Sequence, residues 1–356
     1  MKFMKGASSA VERYRAMSPA DRRRRMGEFF GNNALYIFLV AAIVVIEIVE
    51  PRFLSLPSIV NIISLSAANL PIALGIAGCI ILTGTDLSAG RVVGLVACVT
   101  ASLLQSSTYA GKMFPSLPTL PIWLVFIIAL LIGGAIGALN GFCTAKFHLH
   151  PFIVTLATQL VTYGVLLMYL MNGENNGQSL SGLDESFAKF ITGKLFSVGG
   201  VTVPRYVLYS AVITVIIWVV WNKTVFGKNM FAVGSNADAA AVSGVNVMLT
   251  MILVFTLAGV MYGATGFIEA ARIGSNSAST GLNYELDAIA ACVIGGVSFV
   301  GGIGRVSGVI TGVVLLRIIF VGLTFLGIDS NLQYVIKGFI ILVACAVDMR
   351  KYLVKR

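Results

Sequence analysis

Asn222-Lys223-Thr224-Val225-Phe226-Gly227-Lys228-Asn229, continuing to Gly234-Ser235-Asn236-Ala237-Asp238-Ala239-Ala240-Ala241-Val242-Ser243-Gly244, stands between two apolar spans at about 205–221 and 247–267. A polar insert of this kind between runs as apolar as lipid is the pattern of a chain that crosses a membrane repeatedly. The insert carries its own helix signals. Ser235 or Asn236 can cap an N-terminus, Asp238 suits the first turn, the alanines propagate, and Gly244 can end the helix at C′. A capped helix held between membrane spans reads as a docking knob for another protein.

The composition agrees. Of 356 residues, 57% are apolar and 11% charged, with a mean hydropathy of +0.92. Soluble domains carry about 25% charged residues. The chain is therefore expected to be an all-α polytopic membrane protein whose core lies in lipid. The net charge of +10 is unevenly placed. Eight Lys/Arg fall in 1–33, four of them in the run Arg22–Arg25, and four more in 350–356. The positive-inside rule puts both termini in the cytoplasm and makes the basic run an anchor on anionic membrane lipid rather than a nucleic-acid site. The five cysteines lie in apolar segments without a CxxC pair and read as small buried hydrophobes.

Three regions follow: a basic cytoplasmic segment 1–33 with an interfacial helix at 18–30, a transmembrane domain 34–349, and a basic tail 350–356. About ten transmembrane helices are expected, at 34–49, 57–83, 92–104, 120–142, 152–171, 205–221, 247–267, 288–300, 306–325 and 332–347. The second is interrupted by Asn69 and Pro71, so a kinked or broken helix is expected there. Loop 172–203 falls outside. Within it Phe187, Phe190, Ile191 and Leu195 recur at helical spacing, which predicts a helix lying on the outer surface. Loop 222–246 falls inside. The inside segments then hold 17 Lys/Arg and the outside segments six, with Arg317 and Lys337 left inside spans.

Soluble catalytic motifs are missing. The three Gly-Lys pairs are followed by Met113, Leu195 and Asn229, never by Ser or Thr, so no nucleotide-binding loop is formed. His148 and His150 have no third ligand nearby, and no metal is expected. Asp86 and Asp287 fall at span ends and Glu269 in an outside loop, which leaves no carboxylate at mid-depth to couple an ion. Energy then has to enter from a partner. Thr155, Thr158, Gln159 and Thr162 share one face of the fifth span; they line a path for a hydroxyl-rich solute or serve as interhelical hydrogen-bond glue. Asp86 and Ser88 cap the third span or shape a gate, Asp287 can cap the eighth, and Asn69 is the remaining pathway candidate.

Three stretches together resemble the permease subunits of bacterial sugar ABC importers, in the ribose/galactose branch. They are Thr83-Gly84-Thr85-Asp86-Leu87-Ser88-Ala89-Gly90-Arg91, residues 222–247, and Gly281-Leu282-Asn283-Tyr284-Glu285-Leu286-Asp287-Ala288-Ile289-Ala290-Ala291 running on to Ser298. The similarity spans about 53–348 and is strongest to members of the galactose/methyl-galactoside type. It implies a multi-pass inner-membrane protein that works as a homodimer with a separate ABC ATP-binding subunit and a periplasmic sugar-binding protein. ATP and Mg would sit in the ATPase, with no cofactor and no catalysis in this chain. It also implies that Gly234, Ser235, Asn236, Asp238, Ala239, Ala240, Ser243 and Gly244 form the helix that couples to the ATPase. The implied cargo is a monosaccharide of the galactose/glucose/methyl-galactoside type. Ribose, a nucleoside or another small polar solute is the alternative, and ion-coupled sugar transport a more distant one. The long basic N-terminus and Arg317 depart from the family pattern.

Overall fold

The computed structural model describes residues 21, 40 and 43–353. The chain divides into two compact units, Met1–Pro51 and Arg52–Arg356. In the first, residues 43–49 are helical. The expected interfacial helix at 18–30 and the basic segment 1–33, apart from residue 21, and half of the span at 34–49 lie outside the described residues.

The second unit is a helical bundle. Its first helix, α1, runs unbroken over Leu56–Ile81 with Pro57 in its first turn and Pro71 inside it, so the expected break does not occur. Asn69 turns its amide back onto the helix, Nδ2 donating to the Leu65 carbonyl at 2.9 Å. The next long helices are α3 (Ile122–Phe147) and α4 (Pro151–Leu170), with the shorter α2 (Ala89–Leu103) before them. After the loop come α6 (Tyr206–Lys223), two small helices α7 (Val225–Ser235) and α8 (Ala237–Val242), and α9 (Val247–Ile273). The chain closes with α10 (Tyr284–Ile294), α11 (Val306–Phe325) and α12 (Ser330–Leu353). The tail expected from 350 therefore continues as helix to Leu353, and residues 354–356 lie outside the described part.

Six of these helices, α1, α3, α4, α6, α9 and α11, are long and apolar enough to cross a membrane. Three expected spans are not among them: α2, α10, and α12, whose apolar part among the described residues is the shorter stretch Ser330–Val343. α2 has 15 residues and α10 has 11. At 1.5 Å per residue they reach about 22 and 16 Å, short of the roughly 30 Å hydrocarbon core. Each is a half-length helix completed by irregular backbone, which a membrane tolerates only where protein covers it.

Small residues set the tightest packing. Gly133, Gly137 and Gly141 recur every fourth residue on α3; the first two meet Gly259 and Gly263 of α9, and Gly141 meets Ile252 and Phe255. A Cβ at Gly133 would stand 2.1 Å from the Gly259 carbonyl oxygen, and one at Gly259 2.1 Å from that of Gly133. Only a glycine face lets the two backbones approach this closely.

The 172–204 loop contains α5 (Glu185–Thr192), capped by Asp184, and an antiparallel hairpin, β1 (Lys194–Val198) with β2 (Val201–Pro204). The expected helix thus ends before Leu195, and among the described residues this hairpin holds the only two strands. Phe187 and Ile191 are fully buried and Phe187 meets Phe267, so α5 is stapled to the bundle.

Candidate functional site

The insert at 222–246 folds as two consecutive capped helices rather than one. Thr224 caps α7, its hydroxyl accepting from Gly227 N at 3.2 Å. Asn236 caps α8, Oδ1 accepting from Ala239 N at 2.9 Å. Ser235 does not cap; it donates back to the Phe231 carbonyl. Gly244 ends the turn with φ +85°, and Val245 N donates to the Ala240 carbonyl, closing the C-terminus. Asn246 then caps α9 through Leu249 N.

The knob has two faces. Ala240 is 5% exposed and packs into the core, and Gly234 is buried. A Cβ at Gly234 would stand 1.9 Å from the Ile81 carbonyl oxygen. Gly302 N donates to that same oxygen at 2.9 Å, so the base of the knob, the end of α1 and the 298–304 turn are wedged together. Asp238, Ala239, Ser243 and Gly244 are exposed, and Val242 is 91% exposed.

One turn along the chain from Ile81 lies the Asp86 cluster. Asp86 is fully buried. Its Oδ1 accepts from Ser88 N at 2.9 Å and from Ser88 Oγ at 2.6 Å, and its Oδ2 from the Tyr262 hydroxyl at 3.2 Å. Asn140 Nδ2 donates to Ser88 Oγ at 3.0 Å. Thr155 ties α4 to this turn: its hydroxyl donates to the Thr85 carbonyl and accepts from Leu87 N, both at 3.1 Å. Asp86, Ser88 and Thr155 are thus brought together. The cap of α2 is an Asx turn from Asp86 to Ser88 N, with no capping bond from Ser88 itself. Thr158 donates to its own helix at Val154, Gln159 is half-buried, and Thr162 is buried one turn further along α4. Asn69 is satisfied within α1. Asn140 and Tyr262 were not picked out from the sequence, although Asn140 is the only amide side chain in 26 otherwise largely apolar residues of α3.

Ionic groups inside the bundle correct the sequence reading most. Glu269 is not in a loop but in the last turns of α9. It is fully buried and held by a bidentate Arg272, Nε to Oε1 at 2.7 Å and Nη2 to Oε2 at 2.6 Å, and by the Tyr284 hydroxyl at 3.0 Å. Asp287 does not cap α10; the N-cap is Asn283 in the left-handed region. Asp287 instead receives Lys337 Nζ at 2.5 Å and Arg317 at 3.6 Å, with Lys337 also seated over the Phe320 and Tyr334 rings. The unexpected Arg317 therefore has a carboxylate partner. His150 caps α4, Nδ1 accepting from Phe152 N.

Membrane-length helices packed through glycine, with half-length helices whose polar ends are covered by protein and an exposed capped knob at a bundle end, define a polytopic membrane permease. The chain belongs to the family described as "Branched-chain amino acid transport system / permease component", whose profile matches residues 58–345. It is 45% identical over 329 residues to the "Galactose/methyl galactoside import permease protein MglC" of Escherichia coli (strain K12), covering 92% of this chain and 97% of that protein. The protein of the same name from Salmonella typhimurium is 46% identical over 90% of this chain and 95% of its own length. More distant is the "Ribose import permease protein RbsC" of Bacillus subtilis (strain 168), 34% identical over 92% of this chain and 94% of that protein. No solved structure matches the chain.

Proposed function

We propose that this chain is the membrane subunit of an ATP-driven importer that carries a galactose-type monosaccharide across the bacterial inner membrane. The observation that carries this reading is the 45% identity over 92% of the chain to a galactose/methyl galactoside import permease. About ten spans with both termini inside, a second copy of the chain and a periplasmic sugar-binding protein complete the proposed assembly. A separate ATPase, holding ATP and Mg, docks on the exposed face of α8, where Asp238, Ala239, Val242 and Ser243 are presented while Ala240 and Gly234 anchor the knob from behind. Ribose import by the same mechanism is the second reading, supported by the lower identity to ribose permeases.

The test is uptake by the permease reconstituted with its ATPase and binding protein. Galactose is expected to be taken up in preference to ribose, with leucine not taken up. Ala239→Arg is expected to keep its membrane level but lose ATP-driven uptake. Ala240→Arg forces a charge into the core and is expected to lose the protein itself. Uptake by the Ala239 variant at the wild-type rate would overturn the assignment of the exposed face.

A further inference from the structure

The N-terminal ends of the two half-length helices meet inside the bundle. The segment before α10 runs along α2: Arg91 Nη1 donates to the Ala278 carbonyl at 3.1 Å, and Gly94 and Gly90 lie against the carbonyls of Thr280 and Gly281. A Cβ at Gly90 would stand 2.4 Å from the Gly281 oxygen and 2.0 Å from a carboxylate oxygen of Glu285. Glycine at 90 leaves the space in which that carboxylate sits.

Glu285 is 4% exposed. Among the described residues no other side chain bonds to it; its one hydrogen-bonding partner is its own backbone amide. The nearby cation, Arg91, is committed elsewhere, to Ala278 and to the face of the Tyr163 ring at 4.1 Å, and acts on Glu285 only through space. The other buried carboxylates are furnished differently. Asp86 has three donor contacts, Glu269 a bidentate arginine, and Asp287 two cations. A carboxylate in the bundle with no side-chain donor or contacting cation is costly, and at membrane depth it marks a functional position.

Its depth follows from the helices. From Gly90 to Leu104, at the end of the bundle carrying the 172–204 loop, is about 21 Å, and from Glu285 to Ile294 at the opposite end about 14 Å, at 1.5 Å per residue. Glu285 therefore lies near mid-membrane, at the ends of discontinuous helices, which is where transporters place polar cargo. Leu282 and Leu286, 45% and 37% exposed, bracket it, so this crossing opens at the bundle surface.

We propose that Glu285 is a transit subsite whose carboxylate accepts hydrogen bonds from the hydroxyls of a monosaccharide as it passes mid-membrane, reached from the bundle surface between Leu282 and Leu286. The proposal rests on the sugar-import reading above. A neutral polyol supplies the O–H donors that the carboxylate lacks and brings no charge into the membrane.

The test uses the complete complex in proteoliposomes, with galactose as the probe, scoring sugar taken up per ATP hydrolysed. Glu285→Ala is expected to lower this ratio by about tenfold. Glu285→Gln retains one acceptor oxygen and is expected to keep most of it, losing about threefold or less. An unchanged ratio in the alanine variant, or equal losses in both variants, would overturn the subsite, the latter because it would mean that charge or folding, not hydrogen-bond acceptance, is what matters. Absence of galactose uptake by the wild-type complex would instead refute the sugar-import reading itself.

Discussion

Replacing Asp287 by Asn strips the anion from a cluster of three charges while keeping its shape. Asp287 holds Lys337 at 2.5 Å and Arg317 at 3.6 Å, and the three side chains are only 12–17% exposed. At an effective dielectric of about 20, these separations correspond to about 4–7 kcal/mol of attraction each before desolvation is counted. Removing one member of such a buried pair costs about 3–5 kcal/mol, because charge is left uncompensated. The cluster charge is −1 + 1 + 1 = +1 in the wild type and +2 in Asp287→Asn. A loss of that size lowers the melting temperature by roughly 6–20 °C. Lys337→Met behaves differently. It leaves a one-to-one Asp287–Arg317 pair and puts an apolar chain between Phe320 and Tyr334, so a change under about 1 kcal/mol is expected. Combining Asp287→Asn with Lys337→Met removes the repulsion between the two cations but leaves Arg317 unpaired, so it should recover only part of the lost stability. The measurement is thermal unfolding of the purified permease in detergent, followed by monodispersity. Melting of Asp287→Asn within about 2 °C of wild type, less than about 1 kcal/mol on this scale, or no recovery in the double variant, would refute the charge argument.

Gly234→Ala drives a Cβ to 1.9 Å from the Ile81 carbonyl oxygen and is expected to cost about 1–3 kcal/mol by overpacking. Gly244→Ala meets open space and suffers only from its φ of +85°, about 1 kcal/mol, so the same melting assay should rank the first as the more damaging. Tyr262→Phe removes the donor to Asp86 Oδ2 and is expected to cost about 1–3 kcal/mol. An equal melting temperature in Tyr262→Phe would show that this hydroxyl contributes nothing to holding the Asp86 turn.

Span existence was legible because it needs only local hydropathy. The apolar runs at 57–83, 120–142, 152–171 and 306–325 correspond to α1, α3, α4 and α11. The knob was legible because Asn236, Asp238 and Gly244 are local cap signals, independent of the rest of the fold. Half-spans were not legible. Residues 92–104 and 288–300 are as apolar as any crossing segment, and only the register of Gly90, Gly94 and Gly281 shows that two half-length helices meet inside the bundle. Of the kinked or broken helix expected at Pro71, the break does not occur, for the complementary reason. Helix neighbours sustain a proline in an interior helix, and no local rule contains them. Within the polar stripe of α4, Thr155 proved to hold the Asp86 turn while Thr158 bonds only to its own helix, a difference set by which turn faces residues 85–87.

The sequence expectation concerned membrane depth, with Asp86 and Asp287 at span ends; what hydropathy does not carry is burial among the helices. Asp86, Glu269, Glu285 and Asp287 are buried there. They are matched in number by Arg91, Arg272, Arg317 and Lys337, four acids to four bases. Ion coupling nevertheless gains little from them. A coupling site needs a carboxylate free to exchange its partner during transport, whereas Glu269 and Asp287 are locked to cations on neighbouring turns and helices, and Asp86 is fixed by Ser88 and Tyr262. These groups pin α9 to α10, and α10 to α11 and α12. Glu285 alone stands outside that arrangement. Buried charges used for internal attachment fit the proposed assembly, in which the driving force comes from a partner at the surface. The wedge at Gly234, Ile81 and Gly302 joins the exposed knob to the end of α1 just before the Asp86 turn, so in the assembly proposed above a push on α8 would be passed on through backbone contacts.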